Sequence, residues 1–185
     1  NLRCTYCMPE RGIDLLPHDE ILTFEELSRL VTIFCSMGVN KVRLTGGEPF
    51  ARLDCMSFVE HLKNDLGVPQ LHLTTNGVET YRFIRRLKAI GLSGLNVSLD
   101  TLSRSRFAEL TRRDRLDHVL RTIKEAIRWC IHLKINSVVT KSTTDEEIRS
   151  LAGLAKHLPV SVRFIEHMPF SGNAAASVIQ AELLS

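Results

Sequence analysis

The sequence predicts an α/β protein in which helices cover a parallel β-sheet. Short runs rich in β-branched and other apolar residues alternate with amphipathic helical segments along most of the 185 residues, and no linker or internal repeat interrupts them. Right-handed crossovers between such strands produce either an open doubly wound sheet or a closed or partial barrel, and periodicity does not choose between them. In both architectures, ligands bind beyond the carboxyl ends of the strands.

Five segments have the length and composition of strands, and helices are predicted between them. The strands are Lys41–Thr45, Gln70–Thr75, Leu95–Leu99, Lys134–Val139 and Ser161–Glu166. Thr23 and Glu26 have the spacing of a capping box, and Gly38 is a suitable C-terminal stop for the helix that follows. Thr144 and Glu147 repeat the capping-box spacing. Apolar spacing predicts further helices over Met56–Leu66, Tyr81–Ile90 and 116–127.

Composition and charge narrow the classes of partner. The chain has 24 basic and 21 acidic residues and a net charge of +3, which is too mild to argue for nucleic acid. No stretch approaches the roughly 18 apolar residues of a membrane span. We therefore expect neither a nucleic acid nor a membrane as partner. A phosphate-bearing small molecule needs only a few well-placed cations, so it is not excluded. The basic stretches Arg82–Lys88 and Arg112–Arg115 are interpreted as solvated surface.

Two of the five cysteines form a C-x-x-C pair, Cys4 and Cys7. Zinc sites, redox dithiols and iron–sulfur sites all use this spacing. No second pair completes a zinc set, and Pro9 and Gly12 argue against the helix that should follow a redox dithiol. The odd total, without the pattern of a small secreted domain, argues against a disulfide framework. The other three are expected to be ordinary thiols of the fold: Cys35, Cys55 and Cys130.

Unusual residues also lie at the ends of the predicted strands. In Gly46-Gly47-Glu48-Pro49, the glycines allow close approach of the backbone to a ligand, and Glu48 is an acceptor for an ammonium group. The polar segments Thr74–Gly77 and Ser98–Asp100 either bind a ligand or cap the next helix. A lysine on a parallel strand, Lys134, is costly to bury unless it meets an anion.

Taken in order, these segments resemble the radical S-adenosylmethionine enzymes, and within them the GTP 3′,8-cyclase family of molybdenum cofactor biosynthesis (protein A). The matching words are CMPE, KVRLTGGEP, LTTNG, NVSLDTL, KIN and RFIEHMPF-GN, over about residues 1–173, and they are most similar to eukaryotic members. The family motif C-x-x-x-C-x-x-C, with an aromatic before its last cysteine, fits if a cysteine immediately precedes Asn1.

The resemblance implies a fold and a chemistry. The fold is a partial (β/α)6 TIM-like barrel whose first strand is missing, so that 1–185 is a single core domain truncated at both ends. Cys4, Cys7 and the third cysteine hold a 4Fe–4S cluster that leaves one iron for S-adenosylmethionine. Cleavage of this cofactor gives methionine and a 5′-deoxyadenosyl radical, which removes hydrogen from C3′ of GTP. The sugar radical then attacks C8, giving (8S)-3′,8-cyclo-7,8-dihydroguanosine 5′-triphosphate.

The resemblance also assigns residues to the two ligands. For S-adenosylmethionine these are Tyr6, Gly47, Ser98 and Met168. For GTP they are Arg43, Thr74 and Lys134. The charges are consistent with this assignment, because a triphosphate carries about four negative charges that arginine and lysine can pair.

Some expectations concern what lies outside the matching residues. The family has a second 4Fe–4S cluster in a C-terminal region, so we expect the chain alone to be inactive. The full-length protein is expected to be a homodimer that needs an electron donor, in the mitochondrial matrix if eukaryotic and in the cytoplasm if bacterial. Two alternative functions stay open. The protein could be another radical S-adenosylmethionine enzyme, such as a peptide-modifying one, or an inactive truncated copy. Arg128–His132 replaces the family's usual glycine-containing turn.

Overall fold

A computed structural model describes residues 1–9 and 16–168, and its sheet has the strand order of a barrel. Five strands pair in parallel, each with the next one along the chain: β1 (Lys41–Leu44), β2 (Gln70–Thr75), β3 (Gly94–Ser98), β4 (Leu133–Val139) and β5 (Val160–Glu166). A doubly wound sheet reverses its strand order at a switch point, whereas a barrel does not. The sequential order therefore confirms the prediction of a partial barrel, with β1 and β5 at its edges.

Six α-helices accompany the strands in the described part of the chain. They are α1 (Phe24–Ser36), α2 (Cys55–Asn64), α3 (Ile84–Ala89), α4 (Arg104–Thr111), α5 (Leu116–Arg128) and α6 (Asp145–His157). The capping boxes at Thr23 and Thr144 are both present. The helix predicted over Tyr81–Ile90 is divided into a 3-10 turn (Thr80–Arg82) and α3. Helix α4 was not predicted. None of the helices in the described residues is long and apolar enough to cross a membrane.

The two faces of the sheet differ in composition. One face, which we call the outer face, packs against the helices with side chains that are fully buried, including Leu71, Leu73, Leu95, Val97 and Ile135. The alternate residues of the same strands form the inner face and are mostly polar or charged. Because successive side chains of a strand point to opposite faces, the outer face holds the core, and the inner face is left for ligands.

The unusual turn after α5 has the backbone that a glycine normally provides. The N–H of Cys130 bonds to the carbonyl of Ile127, and the N–H of Ile131 bonds to that of Ala126, which is a Schellman motif. Cys130 occupies its left-handed position with φ 50°. Glycines occupy the same position after α1 and α3, Gly38 with φ 95° and Gly91 with φ 70°. The turn thus keeps the geometry that favours glycine and places a strained cysteine in it.

Candidate functional site

The segment Asn1–Pro9, which we call the cysteine loop, lies at the carboxyl ends of the strands. Asn76, directly after β2, donates from its side-chain nitrogen to the Asn1 side-chain oxygen at 2.6 Å. The ring of Tyr6 lies edge-on to that of His167, directly after β5, with 6.1 Å between centroids. The loop is therefore placed where the barrel architecture predicts a ligand site.

The two thiols of the cysteine loop interact with each other and titrate differently. Cys4 is half-buried and Cys7 is exposed. Hydrogen bonding with Cys4 is the main cause that lowers the pKa of Cys7 to about 7, and the charge of Arg112 adds to it. The same contact, with burial, raises the pKa of Cys4. The thiolate is the form that binds metal, and the contact favours it at Cys7; a bound metal would also deprotonate Cys4, so the two thiols have the chemistry of two of the three predicted cluster ligands. Within the described residues, no group of three or more metal-binding side chains occurs.

Tyr6 is held by a half-buried carboxylate, that of Asp100. Its hydroxyl donates to Asp100 Oδ2 at 2.8 Å, and the other oxygen of Asp100 accepts the N–H of Val138 at 2.8 Å. Burial raises the pKa of Asp100, and the two hydrogen bonds counteract that shift. Asp100 follows β3 and Val138 lies in β4, so the cysteine loop is connected to the sheet beside Ser98.

The carboxylate of Glu48 connects two strand ends. Its oxygens accept the hydroxyl of Thr75 at 2.8 and 2.9 Å, the N–H of Asn76 at 2.7 Å and the N–H of Phe50 at 3.2 Å. The acceptor that was expected to face a ligand ammonium thus binds donors of the protein. Burial raises the pKa of this group, and the three donors act in the opposite direction.

Gly47, next to Glu48, leaves open space beside its backbone. A Cβ added at Gly47 meets no heavy atom within 4 Å. A ligand can therefore approach the backbone here more closely than it could approach any other residue type.

Cations accumulate on the inner face of the sheet. Arg43 lies opposite His72 in register, and Thr74, Asn96 and Lys134 form the next row toward the carboxyl ends. Neither Arg43 nor Lys134 forms an ion pair with a carboxylate in residues 1–9 and 16–168. Cations grouped in this way fit an anionic ligand.

Two further cations of this face, Lys41 and Arg163, were not singled out from the sequence. Burial, followed by the charges of Lys41, Arg43, Lys134 and His132, lowers the pKa of His72. Arg163 is the main cause that lowers the pKa of Lys134, followed by burial and by Lys41 and Arg43. Neighbouring cations contribute to both shifts, and no carboxylate is among their causes. Lys41 and Arg163 are positioned by strand alternation, a signal that was available in the sequence.

Two buried polar atoms of the inner face have no hydrogen-bond partner among the described residues, His72 Nε2 and Asn136 Oδ1. Asn136 lies opposite both Ser98 and Arg163 in register. Buried polar atoms are usually paired, so these two unpaired atoms are candidates for ligand contacts. Asn136, two residues after Lys134, was also missed from the sequence.

The predicted site residues all lie on strands or just beyond their carboxyl ends. Ser98 ends β3, and Met168 follows β5 with 69% of its surface exposed. Tyr6 and Gly47 lie in the loops at the carboxyl ends of the strands. The residues predicted for S-adenosylmethionine therefore lie at the carboxyl ends of the strands, and those predicted for GTP lie on the inner face of the sheet.

A parallel barrel segment with a C-x-x-C loop, an open glycine and cations that have no carboxylate partner among the described residues defines an α/β-barrel domain with a candidate ligand site at the carboxyl ends of its strands. The chain belongs to the Radical SAM superfamily, which matches residues 1–155.

Relatives of known name resemble the chain closely. It is 46% identical over 170 residues to the GTP 3′,8-cyclase of Heliobacterium modesticaldum, covering 91% of this chain and 52% of that protein. It is 44% identical over 174 residues to the mitochondrial GTP 3′,8-cyclase of Arabidopsis thaliana, covering 94% of this chain and 45% of that protein. The chain thus spans about half the length of these relatives.

Solved structures support the fold. SuiB of Streptococcus suis, crystallised with its precursor peptide SuiA, superimposes with a TM-score of 0.75 at 21% identity. The match covers 90% of this chain and 37% of SuiB. At this identity, the likeness shows a shared fold only.

Proposed function

We propose that the full-length protein is a radical S-adenosylmethionine GTP 3′,8-cyclase of molybdenum cofactor biosynthesis. The observation that carries the proposal is the group of cations on the inner face that has no carboxylate partner among the described residues. Named relatives at 44–46% identity are GTP 3′,8-cyclases, which is consistent with a triphosphate as the anion.

Cys4 and Cys7 would supply two thiolates of a 4Fe–4S cluster, with the third from a cysteine directly before Asn1. When bound, the cluster supplies the electron that splits S-adenosylmethionine into methionine and the 5′-deoxyadenosyl radical. The chain's own residues bind and orient that cofactor. We assign this role to Tyr6, held by Asp100, to the open backbone of Gly47, and to Ser98 and Met168.

The inner face would hold GTP by its triphosphate, on Arg43 and Lys134 with help from Lys41 and Arg163. Thr74 lies in the same row as Lys134 and offers a hydroxyl. With the triphosphate held there, the ribose would lie toward the carboxyl ends of the strands, where the residues proposed for S-adenosylmethionine lie. The reaction would transfer the hydrogen atom from C3′ of GTP to the deoxyadenosyl carbon and join C3′ to C8 of the same guanine as the C8–N7 double bond opens. One electron from the electron donor and one proton would then complete the product at N7, so 5′-deoxyadenosine and the cyclised nucleotide arise in equal amounts.

Other parts of the proposal lie beyond this chain. A second 4Fe–4S cluster in a C-terminal region, a homodimer and a protein electron donor belong to the full-length enzyme, and we infer that residues 1–185 alone are inactive. The enzyme would work in the mitochondrial matrix in a eukaryote and in the cytoplasm in a bacterium.

The test uses full-length protein reconstituted anaerobically with iron and sulfide, then given S-adenosylmethionine, a reductant and GTP. We expect equal amounts of 5′-deoxyadenosine and cyclised nucleotide, and neither product from the matched variant Cys7→Ala. Cofactor cleavage with GTP unchanged would instead indicate a different radical enzyme. A full cluster without cofactor cleavage would indicate an inactive copy.

A second variant tests the cofactor site separately. Gly47→Val should abolish binding of S-adenosylmethionine while the melting temperature stays unchanged, because the added side chain meets no protein atom within 4 Å at its Cβ. Unchanged affinity in calorimetry would contradict the assignment of Gly47.

A further inference from the structure

Arg112 has a backbone conformation that is unusual for its residue type. It follows α4 and adopts the left-handed region with φ 54°. A Cβ makes this conformation unfavourable, which is why glycine is the usual residue at such a helix end. Strain of this kind persists where the surrounding contacts require it, so the contacts of the Arg112 side chain should account for it.

The guanidinium of Arg112 reaches across to the cysteine loop and binds it on both sides of the cysteine pair. Its Nη1 donates to the carbonyl of Arg3 at 3.2 Å and to the carbonyl of Met8 at 3.0 Å. These two carbonyls flank Cys4 and Cys7 in the sequence, and one nitrogen bridges them. A donor that carries charge makes such bonds stronger than neutral ones.

Two backbone hydrogen bonds from the same turn support this contact. The N–H of Arg3 donates to the carbonyl of Thr111 at 3.0 Å, and the N–H of Thr5 donates to that of Leu110 at 2.8 Å. The end of α4 therefore forms a platform of three consecutive residues under the cysteine loop. The other described anchors, Asn1 to Asn76 and Tyr6 to Asp100, each fix one point of the loop.

We propose that Arg112 is a positioning residue for the cluster: it holds the Arg3 and Met8 carbonyls together so that Cys4 and Cys7 face one cluster, and it places a positive charge beside that cluster. The proposal rests on the proposed function in one respect, that the cysteine loop carries the cluster. It assigns a role to a basic residue that sequence reasoning left as solvated surface.

Three variants of the full-length protein separate holding the loop from ending the helix. Arg112→Met keeps the backbone strain and removes the guanidinium. Arg112→Lys keeps the charge and removes the planar group that fits both carbonyls. Arg112→Gly removes the strain together with the side chain. Arg113→Met is the matched control, since it removes the same charge from the neighbouring exposed residue. Among the described residues, the side chain of Arg113 donates only to the carbonyl of Arg112.

The measurements are iron and sulfide per chain after anaerobic reconstitution, the rate of cluster loss to a chelator, and the midpoint potential followed by electron paramagnetic resonance. We expect Arg112→Met and Arg112→Gly to lose the cluster roughly tenfold faster than wild type or more, as expected for two lost charge-assisted hydrogen bonds. Both should show a lower midpoint potential, because reduction adds negative charge to the site. Arg112→Lys should lose the cluster faster but keep the wild-type potential.

Arg112→Gly distinguishes the proposal from a purely structural role. If Arg112 only ended α4, glycine would serve as well, and cluster loss would match that of wild type. Equal rates of loss for Arg112→Gly, Arg112→Met and Arg113→Met would overturn the proposal, whatever their melting temperatures. If Arg112→Met does not fold, the glycine and lysine variants decide. Failure of the wild-type protein itself to take up a cluster would contradict the proposed function instead.

Discussion

The two faces of the sheet are built on opposite principles, although they alternate along the same strands. On the outer face, Leu73, Leu95 and Ile135 have no exposed surface and pack against helices. On the inner face, Arg43, His72 and Lys134 lie among other cations, and none has a carboxylate partner among the described residues. The outer face lowers the free energy of the folded chain. The inner face contains electrostatic repulsion between cations, which folding alone does not require.

This difference indicates where stability and function are separated. Burial of apolar side chains is worth about 1.5–3 kcal/mol for each large residue, so the outer face dominates stability. Like charges placed close together disfavour folding, and an arrangement of that kind suits a polyanionic ligand. Substitutions on the outer face should therefore lower stability, whereas substitutions on the inner face should weaken ligand binding and leave stability nearly unchanged.

The largest effect is expected on the outer face. Leu73→Ala removes a fully buried side chain and should lower the free energy of unfolding by about 2–5 kcal/mol. Thr74→Ala, the next residue on the same strand and on the inner face, should change it by no more than about 0.5 kcal/mol. Urea denaturation measures both. Similar losses for the two variants would contradict the separation of the faces.

The next effect concerns ligand binding on the inner face. Arg43→Ala and Lys134→Ala in the full-length enzyme should each weaken GTP binding by roughly tenfold or more, since each removes a charge-assisted contact worth about 1.5–3 kcal/mol. The affinity for S-adenosylmethionine should not change. Melting temperatures should stay equal or rise slightly, because a repelled charge is removed. A large stability loss with GTP affinity preserved would mean that these residues serve the fold.

A smaller effect should appear in the dependence of stability on pH. Burial, and then the neighbouring cations, lowers the pKa of His72 below its ordinary value of 6.5. The unfolded chain therefore binds a proton more readily than the folded one, and stability falls as pH drops below 6.5 toward the folded-state pKa. His72→Gln should remove this part of the acid destabilisation. His157→Gln, at the exposed end of α6, is the control, and an identical pH profile for wild type and His72→Gln would rule out the effect.

A triphosphate should reverse the shift of His72. Negative charge on the inner face favours the protonated imidazole, so GTP binding should take up a proton at this residue and strengthen as pH falls. GTP itself also titrates, so the informative quantity is the difference in proton uptake between wild type and His72→Gln, measured by calorimetry in two buffers.

The strands and most helices were predictable because their signals are local. Alternating apolar residues located all five strands, and the capping boxes at Thr23 and Thr144 located two helix starts. Helix α4 was missed because it is short, and of its residues only Phe107 and Thr111 are buried. Its start at Ser103 has no glutamate to complete a capping box.

The candidate site was predictable only in part, since its supports connect residues distant in sequence. The glycine, the cysteines and the strand-end polar residues could be identified from the motifs. The bond from Tyr6 to Asp100 spans 94 residues, that from Arg112 to Met8 spans 104, and that from Thr75 to Glu48 spans 27. No local pattern encodes such pairs, so the contacts that Glu48 and Arg112 make within the protein were not part of the prediction from the sequence.

The smallest effect is expected at three helix ends that have the same turn conformation. Cys130, Gly38 and Gly91 occupy the same left-handed position, but only Cys130 carries a Cβ. Cys130→Gly should therefore stabilise the protein by up to about 1 kcal/mol, since relief of the backbone strain exceeds the greater freedom of glycine in the unfolded chain. Cys130→Ala, which keeps a Cβ, should have almost no effect. Gly91→Ala is the reverse change, and because a Cβ there meets nothing within 4 Å, its loss of about 1 kcal/mol would report backbone conformation alone. Thermal unfolding of the three variants is the measurement. If Cys130→Gly is destabilising while Gly91→Ala behaves as expected, the thiol of Cys130 contributes a contact that outweighs the strain.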